Sequence, residues 1–366
     1  MSWPSVTITF VVVGGLYLLK GFFVARLIGG RYPWNAAVVD VVAVACLILI
    51  LRYFDLGLKF ATHRLFHASS STPRLLFAQT TRFTLLGIFA FPLLLALVQF
   101  FPQRVACNAN PADAGMPYQD VTIDSTAGKL SAWYVPAPRG EGPIVLVTHG
   151  LGANKQNFLP AVQAAHALGF SSLIFDFRAH GDSDGRVTTF GYHEADDVEA
   201  ACQWIRANHP DRPIYALAFS MGAAAVLKAA AKSDPFEKLV IDSTFARVEN
   251  VARSSLLASF GILQTPAWQL ARFWGWLFTG VDMADHRPEE NIAKIAHRPI
   301  LLVHGLEDSM IRPIESERLA KAAGETPQVW FVPGAMHVGS LGHPEYLQRL
   351  AAFLNGDSML ASRWRF

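Results

Sequence analysis

The stretch that most constrains the fold runs over residues 213–227 and changes character at Ser220. The residues before the serine are apolar and favour a strand, whereas the small, alanine-rich residues after it favour a helix. Strand and helix backbones nearly touch at such a sharp turn, so the residues two before and two after the serine must be small, as Ala218 and Gly222 are. The stretch therefore matches a G-x-S-x-G elbow with alanine in place of the first glycine. The alternative is a buried serine in an ordinary strand-to-helix turn.

The composition indicates contact with lipid and gives no sign of nucleic-acid binding. Hydrophobic residues make up 52% of the 366-residue chain, and the mean hydropathy of +0.27 is high for a soluble protein. The 31 Lys and Arg residues nearly balance the 29 Asp and Glu residues, so no basic field favours nucleic acid. Cys46, Cys107 and Cys202 have no metal-ligand spacing, and a disulfide between the last two stays open.

Three long apolar runs precede residue 105, at 6–24, 36–51 and 83–101. Each approaches the ~20 residues that cross a bilayer as a helix, although the second contains Asp40 and the third Pro92. The first run lacks a basic segment before it and a clear cleavage site after it, which favours an uncleaved anchor over a signal peptide. Residues 1–105 are therefore predicted to be a membrane region with two or three transmembrane helices. Buried core helices are the alternative.

The charges between the runs predict an orientation. The segment between the second and third runs carries five basic residues against Asp55, namely Arg52, Lys59, Arg64, Arg74 and Arg82. Because Lys and Arg accumulate on the cytoplasmic side, three crossings would place the rest of the chain outside the cytoplasm. Arg26 and Arg31 oppose this assignment, and the loss of one crossing reverses it.

After a turn-rich linker at 106–117 the composition becomes that of a globular α/β domain, predicted over 118–356 and followed by a tail at 357–366. A hairpin is followed by apolar runs that alternate with helical patterns, which implies a mainly parallel, eight-stranded sheet with helices on both faces. The predicted strands lie at 119–123, 129–135, 144–148, 172–175, 214–218, 239–241, 300–303 and 329–332. In such a sheet the functional groups collect at the carboxyl ends of the strands.

Three of these strand ends carry a nucleophile, an acid and a base in the chain order Ser220, Asp308 and His337. A serine hydroxyl is a poor nucleophile near neutral pH. His337 would take its proton and later return it to the leaving group. Asp308 would fix the tautomer of the imidazole and stabilise its cation, with Glu307 and Asp242 as rival acids.

The glycine-rich loop at 149–154 is the candidate oxyanion hole. In this reading the amides of Leu151 and Met221 hold the developing negative charge. His149, at the start of the loop, suits a structural hydrogen bond better than the role of base.

The polar loop at 176–185 is predicted to be a self-hydrogen-bonded turn that frames the pocket. His149, His180 and His304 lie in different loops without ligand spacing, so no metal and no other cofactor is expected.

The region from about 118 to 354 resembles the alpha/beta-hydrolase superfamily, and especially its membrane-tethered hydrolase-domain proteins and the serine aminopeptidase-like hydrolases. The resemblance implies that fold and an acyl-enzyme on Ser220. The sequence departs from the family pattern at Ala218 and Ala179, where small residues replace the usual glycines. The matching motifs are His149-Gly150, 176–183, 218–222, 242–246, 304–308 and His337.

An insertion at about 248–288 is rich in large aromatic residues. In the fold that the resemblance implies, this segment sits above the nucleophile and is a candidate helical lid and acyl-pocket wall. Packing of a small cap and an interfacial aromatic belt are the alternatives. The aromatic residues are Phe260, Trp268, Phe273, Trp274, Trp276 and Phe278.

These features predict a membrane-anchored serine hydrolase that cleaves a carboxylic ester or thioester of an apolar, lipid-like acyl substrate. One alternative is a serine aminopeptidase-like peptidase, which would need an acidic subsite for a free α-amino group. Glu194, Asp196 and Asp197 are available for it, although their position favours the start of a solvated helix. The other alternative is a catalytically idle, membrane-bound protein that uses the pocket as a receptor.

Overall fold

The computed structural model describes residues 55–56, 80–81, 96–138, 142–256, 261, 264–324 and 326–356. The first two apolar runs, residues 83–95 of the third, Phe260 and the predicted tail lie outside this part of the chain. Among the described residues, no helix has the length and apolar character needed to cross a membrane.

Eight strands form a single sheet in the order β1-β2-β4-β3-β5-β6-β7-β8. The pairs β1–β2 and β2–β4 are antiparallel, and the other neighbours are parallel. The prediction of a mainly parallel, eight-stranded sheet is therefore confirmed. The bounds are β1 Gln119–Ser125, β2 Gly128–Val135, β3 Ile144–Thr148, β4 Ser171–Phe175, β5 Ile214–Phe219, β6 Lys238–Asp242, β7 Ile300–Gly305 and β8 Gln328–Val332.

Helices cover both faces of the sheet, which explains why its central strands are buried along their whole length. Helices α1 and α8 pack on one face, and α2, α3, α6 and α7 pack on the other. The bounds are α1 Leu159–Ala167, α2 Glu194–Asn208, α3 Met221–Ser233, α4 Val248–Val251, α5 Gln264–Thr279, α6 Pro288–Lys294, α7 Ile314–Ala323 and α8 Tyr346–Asn355.

A third apolar cluster lies between the sheet and the insertion at 248–288. Trp268 and Trp274 of α5 are buried in it, together with Phe245 from the loop after β6. Ala96 and Phe100, which precede the α/β domain predicted over 118–356, belong to the same cluster. The insertion thus shares its core with residues from upstream of the domain.

The two described cysteines are both free. Cys202 packs in the core on one face of the sheet, whereas Cys107 packs against the core on the other face. The sheet lies between these two cores, so a disulfide between Cys107 and Cys202 is not formed. Cys46 lies outside the described residues.

Candidate active site

Ser220 occupies a strained turn between β5 and α3. Its backbone angles, φ 52° and ψ −121°, are rare for a residue with a side chain. Its N–H donates to the carbonyl of Asp242 at 2.9 Å, and its carbonyl accepts from the hydroxyl of Thr244 at 2.8 Å, which ties the turn to the end of β6. A Cβ at Gly222 would lie 2.4 Å from the carbonyl oxygen of His149. No side chain therefore fits at this position, which agrees with the prediction that a small residue is needed here.

A chain of hydrogen bonds joins the three residues that the sequence singled out. The Nδ1–H of His337 donates to Oδ2 of Asp308 at 2.6 Å, and Nε2 of the same ring lies 2.9 Å from Oγ of Ser220. With Nδ1 protonated, Nε2 is left as the acceptor for the serine hydroxyl. Ser220 is 7% exposed and lines the cavity described below.

The surroundings of Asp308 keep its carboxylate ionised. Its Oδ1 accepts hydrogen bonds from the N–H groups of Met310 and Ile311, both at 2.9 Å, and His304 lies 3.4 Å from Oδ2. Burial alone would raise the pKa of Asp308, but the hydrogen bonds from His304, His337 and Ile311 outweigh burial and hold the pKa below its ordinary value. The carboxylate therefore stays negative beside His337 at every pH where the protein would work.

The two rival acids are placed differently. Glu307 is exposed to solvent. Asp242 is fully buried and accepts from the hydroxyls of Ser243, at 2.8 Å, and Ser340. Burial raises the pKa of Asp242 to about 6, although both serines act to lower it.

Asp242 holds the loop that carries His337. Ser243, which donates to Asp242, also accepts from the N–H of Val338 at 3.2 Å. Val338 has φ 58°, a conformation that a β-branched residue adopts only when its surroundings enforce it. Ser340, two residues further on, binds the other oxygen of Asp242. The buried carboxylate thus holds the loop directly after His337 through two serines, one bonded to the N–H of Val338 and one two residues after Val338.

Two buried, neutral histidines shape the candidate oxyanion loop. His149 accepts from the N–H of Phe177 at 3.0 Å through Nε2, and donates to the carbonyl of Gly150 at 2.8 Å through Nδ1. His180 accepts from the N–H of Gly152 at 3.1 Å, and its Nδ1 donates to the carbonyl of Arg178 at 2.8 Å. Burial lowers the pKa of both rings, which suits their role as acceptors. Leu151, between the two anchored glycines, lines the cavity together with Met221.

The polar loop after β4 braces this region instead of framing the pocket. Asp176 accepts from both the N–H and the Nζ of Lys155 at 2.6 Å, and Nζ also lies 3.0 Å from Asp182. The loop is hydrogen-bonded to itself as predicted, for example from the N–H of Ala179 to the carbonyl of Asp184 at 2.8 Å, but none of residues 176–185 is among the described residues that line the cavity. Ala179 has φ 62°, a left-handed conformation that glycine adopts more readily than alanine.

One group of described residues has the donor types of a metal site. The ligand atoms of Cys107, Asp176 and Asp182 lie within 4.8 Å of one another. The ammonium of Lys155, 1% exposed, already binds both carboxylates. Burial raises the pKa of the Cys107 thiol to about 12, so the thiolate that binds metals is disfavoured. The group therefore fits an internal ion pair better than a metal centre.

A cavity of about 430 Å³ opens at Ser220 and His337, and its walls are almost entirely apolar. The strand-end loops contribute Leu151, Phe190, Phe245 and Ile311, and the insertion contributes Val248, Val251, Trp268, Ala271 and Met283. Ala96, Gln99 and Phe100 complete the wall. Of the aromatic residues in the insertion, Trp268 alone among the described ones lines the cavity, while Phe273 and Trp276 are exposed.

The acidic residues considered for an amino-terminal subsite are not part of this cavity. Glu194 is fully buried and accepts from the hydroxyls of Thr188, at 2.8 Å, and Thr189, at 2.7 Å. Asp197 is fully buried in a two-pronged ion pair with Arg178, at 2.8 and 2.9 Å. All three acidic residues lie in the first turn of α2 as predicted; Asp196 is half-buried, whereas Glu194 and Asp197 are not solvated.

Comparisons with known proteins agree with this architecture. The model of the alpha/beta hydrolase fold family matches residues 143–273. An uncharacterised protein of Mycobacterium tuberculosis is 32% identical over 224 residues, which are 60% of this chain and 72% of that protein. The chain belongs to the alpha/beta hydrolase fold family.

Two further proteins that are similar to this chain are named for an activity. The lysophosphatidylserine lipase ABHD12 of Rattus norvegicus is 24% identical over 218 residues, which cover 53% of this chain and 52% of that protein. The structure of the Pyrococcus furiosus esterase Pf2001 superposes with a TM-score of 0.58 at 24% identity, over 70% of this chain and 98% of that one. The alpha/beta hydrolase fold is thus shared with an esterase and a lipase.

Several residues of the site carry no signal in the sequence. Lys155 lies in a polar stretch that predicts an exposed side chain, and its burial depends on two carboxylates that follow a different strand. Phe100 lies in an apolar run that predicts a membrane segment. The contact of His180 with Gly152 was not predicted either, although the placement of both residues at strand ends is consistent with it.

Proposed function

We propose that this protein is a serine hydrolase that cleaves carboxylic esters or thioesters with an apolar acyl group. The observation that carries the proposal is the hydrogen-bond chain from Asp308 through His337 to Ser220, which ends at an apolar cavity of about 430 Å³. A nucleophile, a base and an orienting acid in this order are what acyl transfer requires. The volume lies within the ~300–1,000 Å³ of small-molecule sites.

Each group of the site has a defined step in the proposed acyl-transfer reaction. Oγ of Ser220 attacks the acyl carbonyl and loses its proton to Nε2 of His337, 2.9 Å away. Asp308 stabilises the resulting imidazolium, and the amides of Leu151 and Met221 stabilise the oxyanion of the tetrahedral intermediate. His337 then protonates the departing alkoxide or thiolate, and an acyl group remains on Ser220. Water repeats the sequence and releases a carboxylic acid.

A lipid with a single acyl chain is the substrate class that we favour. The cavity walls offer apolar contacts, and the relative ABHD12 is described as a lysophosphatidylserine lipase. Glu194 and Asp197 are hydrogen-bonded inside the protein, and the described residues that line the cavity include no acidic side chain for a peptide amino terminus. Ester cleavage is therefore favoured over aminopeptidase activity.

The protein is further proposed to be anchored to a membrane by the apolar runs at 6–24 and 36–51 and by the part of the third run that precedes Ala96, with the catalytic domain outside the cytoplasm. This part of the proposal depends on hydropathy and loop charge. Single cysteines introduced at positions 60 and 125 in a cysteine-free chain would be labelled from opposite sides of the membrane if three crossings are made. Labelling of both from the cytoplasmic side would overturn the orientation.

The test of the activity is labelling of the detergent-solubilised full chain with a long-chain fluorophosphonate. The expected result is one adduct on Ser220, absent in Ser220→Ala and suppressed most by long-chain p-nitrophenyl esters. Suppression by an aminoacyl amide alone would indicate a peptidase. Lack of an adduct on folded protein would indicate a hydrolase fold used for binding.

A further inference from the structure

Residues 96–100 form part of the cavity wall, although they precede the hydrolase domain in the chain. Residues 96–100 are helical, and Ala96, Gln99 and Phe100 line the cavity that holds Ser220. Ala96 and Phe100 are 3% and 4% exposed and belong to the apolar cluster beneath the insertion. A chain that began at residue 106 would therefore have an open cavity.

Several contacts fix this segment to the domain. The N–H of Thr188 donates to the carbonyl of Phe100 at 2.9 Å, and the ring of Phe100 packs edge-on against Phe190 with centroids 5.4 Å apart. The next residue, Phe101, makes a similar contact with Phe278 of α5 at 5.5 Å. Further along, the guanidinium of Arg104 donates to the carbonyls of Ser183 and Gly185. The segment is thus attached both to the loop after β4 and to helix α5.

Gly275, four residues before the end of α5, makes room for the ring of Phe100. A Cβ at this position would lie 2.8 Å from Cζ of Phe100 and 3.2 Å from Cε2. Glycine is unfavourable in a helix interior, so its presence here calls for a close approach of another group. That group is the Phe100 ring, which lies between α5 and the cavity.

We propose that Phe100 determines acyl-chain specificity because its ring closes one end of the cavity at Ser220, called the acyl chamber below. Gly275 determines how far the ring lies from the centre of this chamber. The proposal rests on the proposed function in taking this cavity as the acyl site. Removal of the ring deepens the chamber. A methyl group on Gly275 pushes the ring toward the cavity, which is its open side, and shortens the chamber.

The test uses Phe100→Ala and Gly275→Ala in the full chain, with Phe101→Ala as the matched control. Phe101 is a neighbouring phenylalanine that contacts the same helix and does not line the cavity. Binding is measured first in a Ser220→Ala background, by displacement of a fluorescent fatty acid with a series from octanoate to stearate. The kcat/KM values for p-nitrophenyl esters of the same chain lengths are then measured with Ser220 present.

We expect Phe100→Ala to raise the affinity ratio of long to short chains by about fourfold for each methylene newly accommodated. Gly275→Ala is expected to lower the same ratio, and the double variant is expected to behave like Phe100→Ala because no ring remains to be displaced. Phe101→Ala should keep the parent profile. The kcat/KM series should follow the binding series.

The proposal would be overturned if Phe100→Ala and Gly275→Ala showed the same dependence of affinity on chain length as Phe101→Ala. Binding that does not depend on chain length would also overturn it. Because the binding series uses a chain without Ser220, it reads the chamber independently of catalysis. Chain-length-dependent binding in a protein that neither hydrolyses esters nor reacts with fluorophosphonate would refute the proposed function and leave the role of Phe100 standing.

Discussion

Oδ2 of Asp308 lies 2.6 Å from Nδ1 of His337, and this contact separates Asp308 from two other carboxylates that follow strands near it. The neighbouring Glu307 is exposed. Both oxygens of Asp242 accept hydrogen bonds from serine hydroxyls. Each of the three carboxylates therefore has a different environment, and each environment predicts a different phenotype.

Asp308→Asn is expected to lower kcat by about three to four orders of magnitude, because an amide in this place stabilises the wrong tautomer of His337 and no imidazolium. Glu307→Gln, one residue away, should stay within about twofold of the parent. Ester hydrolysis by the solubilised protein measures both. A large loss in Glu307→Gln together with a small loss in Asp308→Asn would reverse the assignment.

Asp242 is expected to make the folded state less stable as the pH rises from about 4 to about 6. Its pKa is raised in the folded state, so the folded protein binds the proton more tightly than the unfolded chain. The contribution is complete below the ordinary carboxyl pKa and is lost as the pH passes about 6. The lost free energy of unfolding is about 3 kcal/mol at most. Asp308, with a lowered pKa, acts in the opposite sense at more acidic pH.

Denaturant unfolding of the parent and of Asp242→Asn over this pH range tests the assignment. The difference in unfolding free energy between the two proteins should change with pH between about 4 and 6 and be constant above. A difference that stays constant through this window would mean that Asp242 does not titrate there. The same variant should also lower kcat, because its carboxylate clamps the loop of His337.

The elbow at Ser220 makes opposite predictions for its two small residues. Gly222→Ala places a methyl group 2.4 Å from the carbonyl oxygen of His149 and should disrupt the turn, with a fall in both thermal stability and fluorophosphonate labelling. Ala218→Gly keeps this position small, matches the first glycine of the G-x-S-x-G pattern and should keep labelling close to the parent level. Thermal unfolding followed by circular dichroism distinguishes loss of the turn from loss of the whole fold. Equal tolerance of both changes would contradict the tight contact.

The fold could be predicted from the sequence because its signals are local. A buried parallel strand is a short apolar run in the sequence. The predicted strand at 144–148 matches β3, and the one at 300–303 lies within β7. The hydrogen-bond chain from Asp308 to Ser220 joins residues that were predicted to meet, because parallel strands bring their carboxyl ends to one edge.

Contacts that depend on partners distant in sequence could not be predicted in the same way. Hydropathy does not distinguish a residue that faces lipid from one that faces an apolar cavity, so Phe100 was assigned to a membrane run. Charge at a helix start is usually solvated, yet Asp197 is buried because Arg178 arrives from another loop. Such burial becomes visible only when both partners are placed in three dimensions.

His180 is expected to support catalysis without touching the reacting atoms. Its Nε2 accepts from the N–H of Gly152 at 3.1 Å, next to the Leu151 amide of the candidate oxyanion hole. His180→Phe removes the acceptor and leaves the Gly152 N–H unpaired, which should lower kcat by about 10- to 100-fold, less than the ~10²–10³ caused by loss of a whole oxyanion donor. KM for short esters should change little, because His180 does not line the cavity.

His180→Gln is the matched control, since its side-chain carbonyl can accept from the same N–H. It should recover at least half of the lost activation free energy, with thermal stability measured for both variants. Protonation of His180 at acidic pH should remove the same hydrogen-bond acceptor without a mutation. The pKa of His180 is lowered in the folded state, so its contribution to stability is present above the ordinary histidine pKa of about 6.5 and is lost on acidification. Equal kcat values for the Phe and Gln variants would show that the hydrogen bond to Gly152 does not position the oxyanion loop.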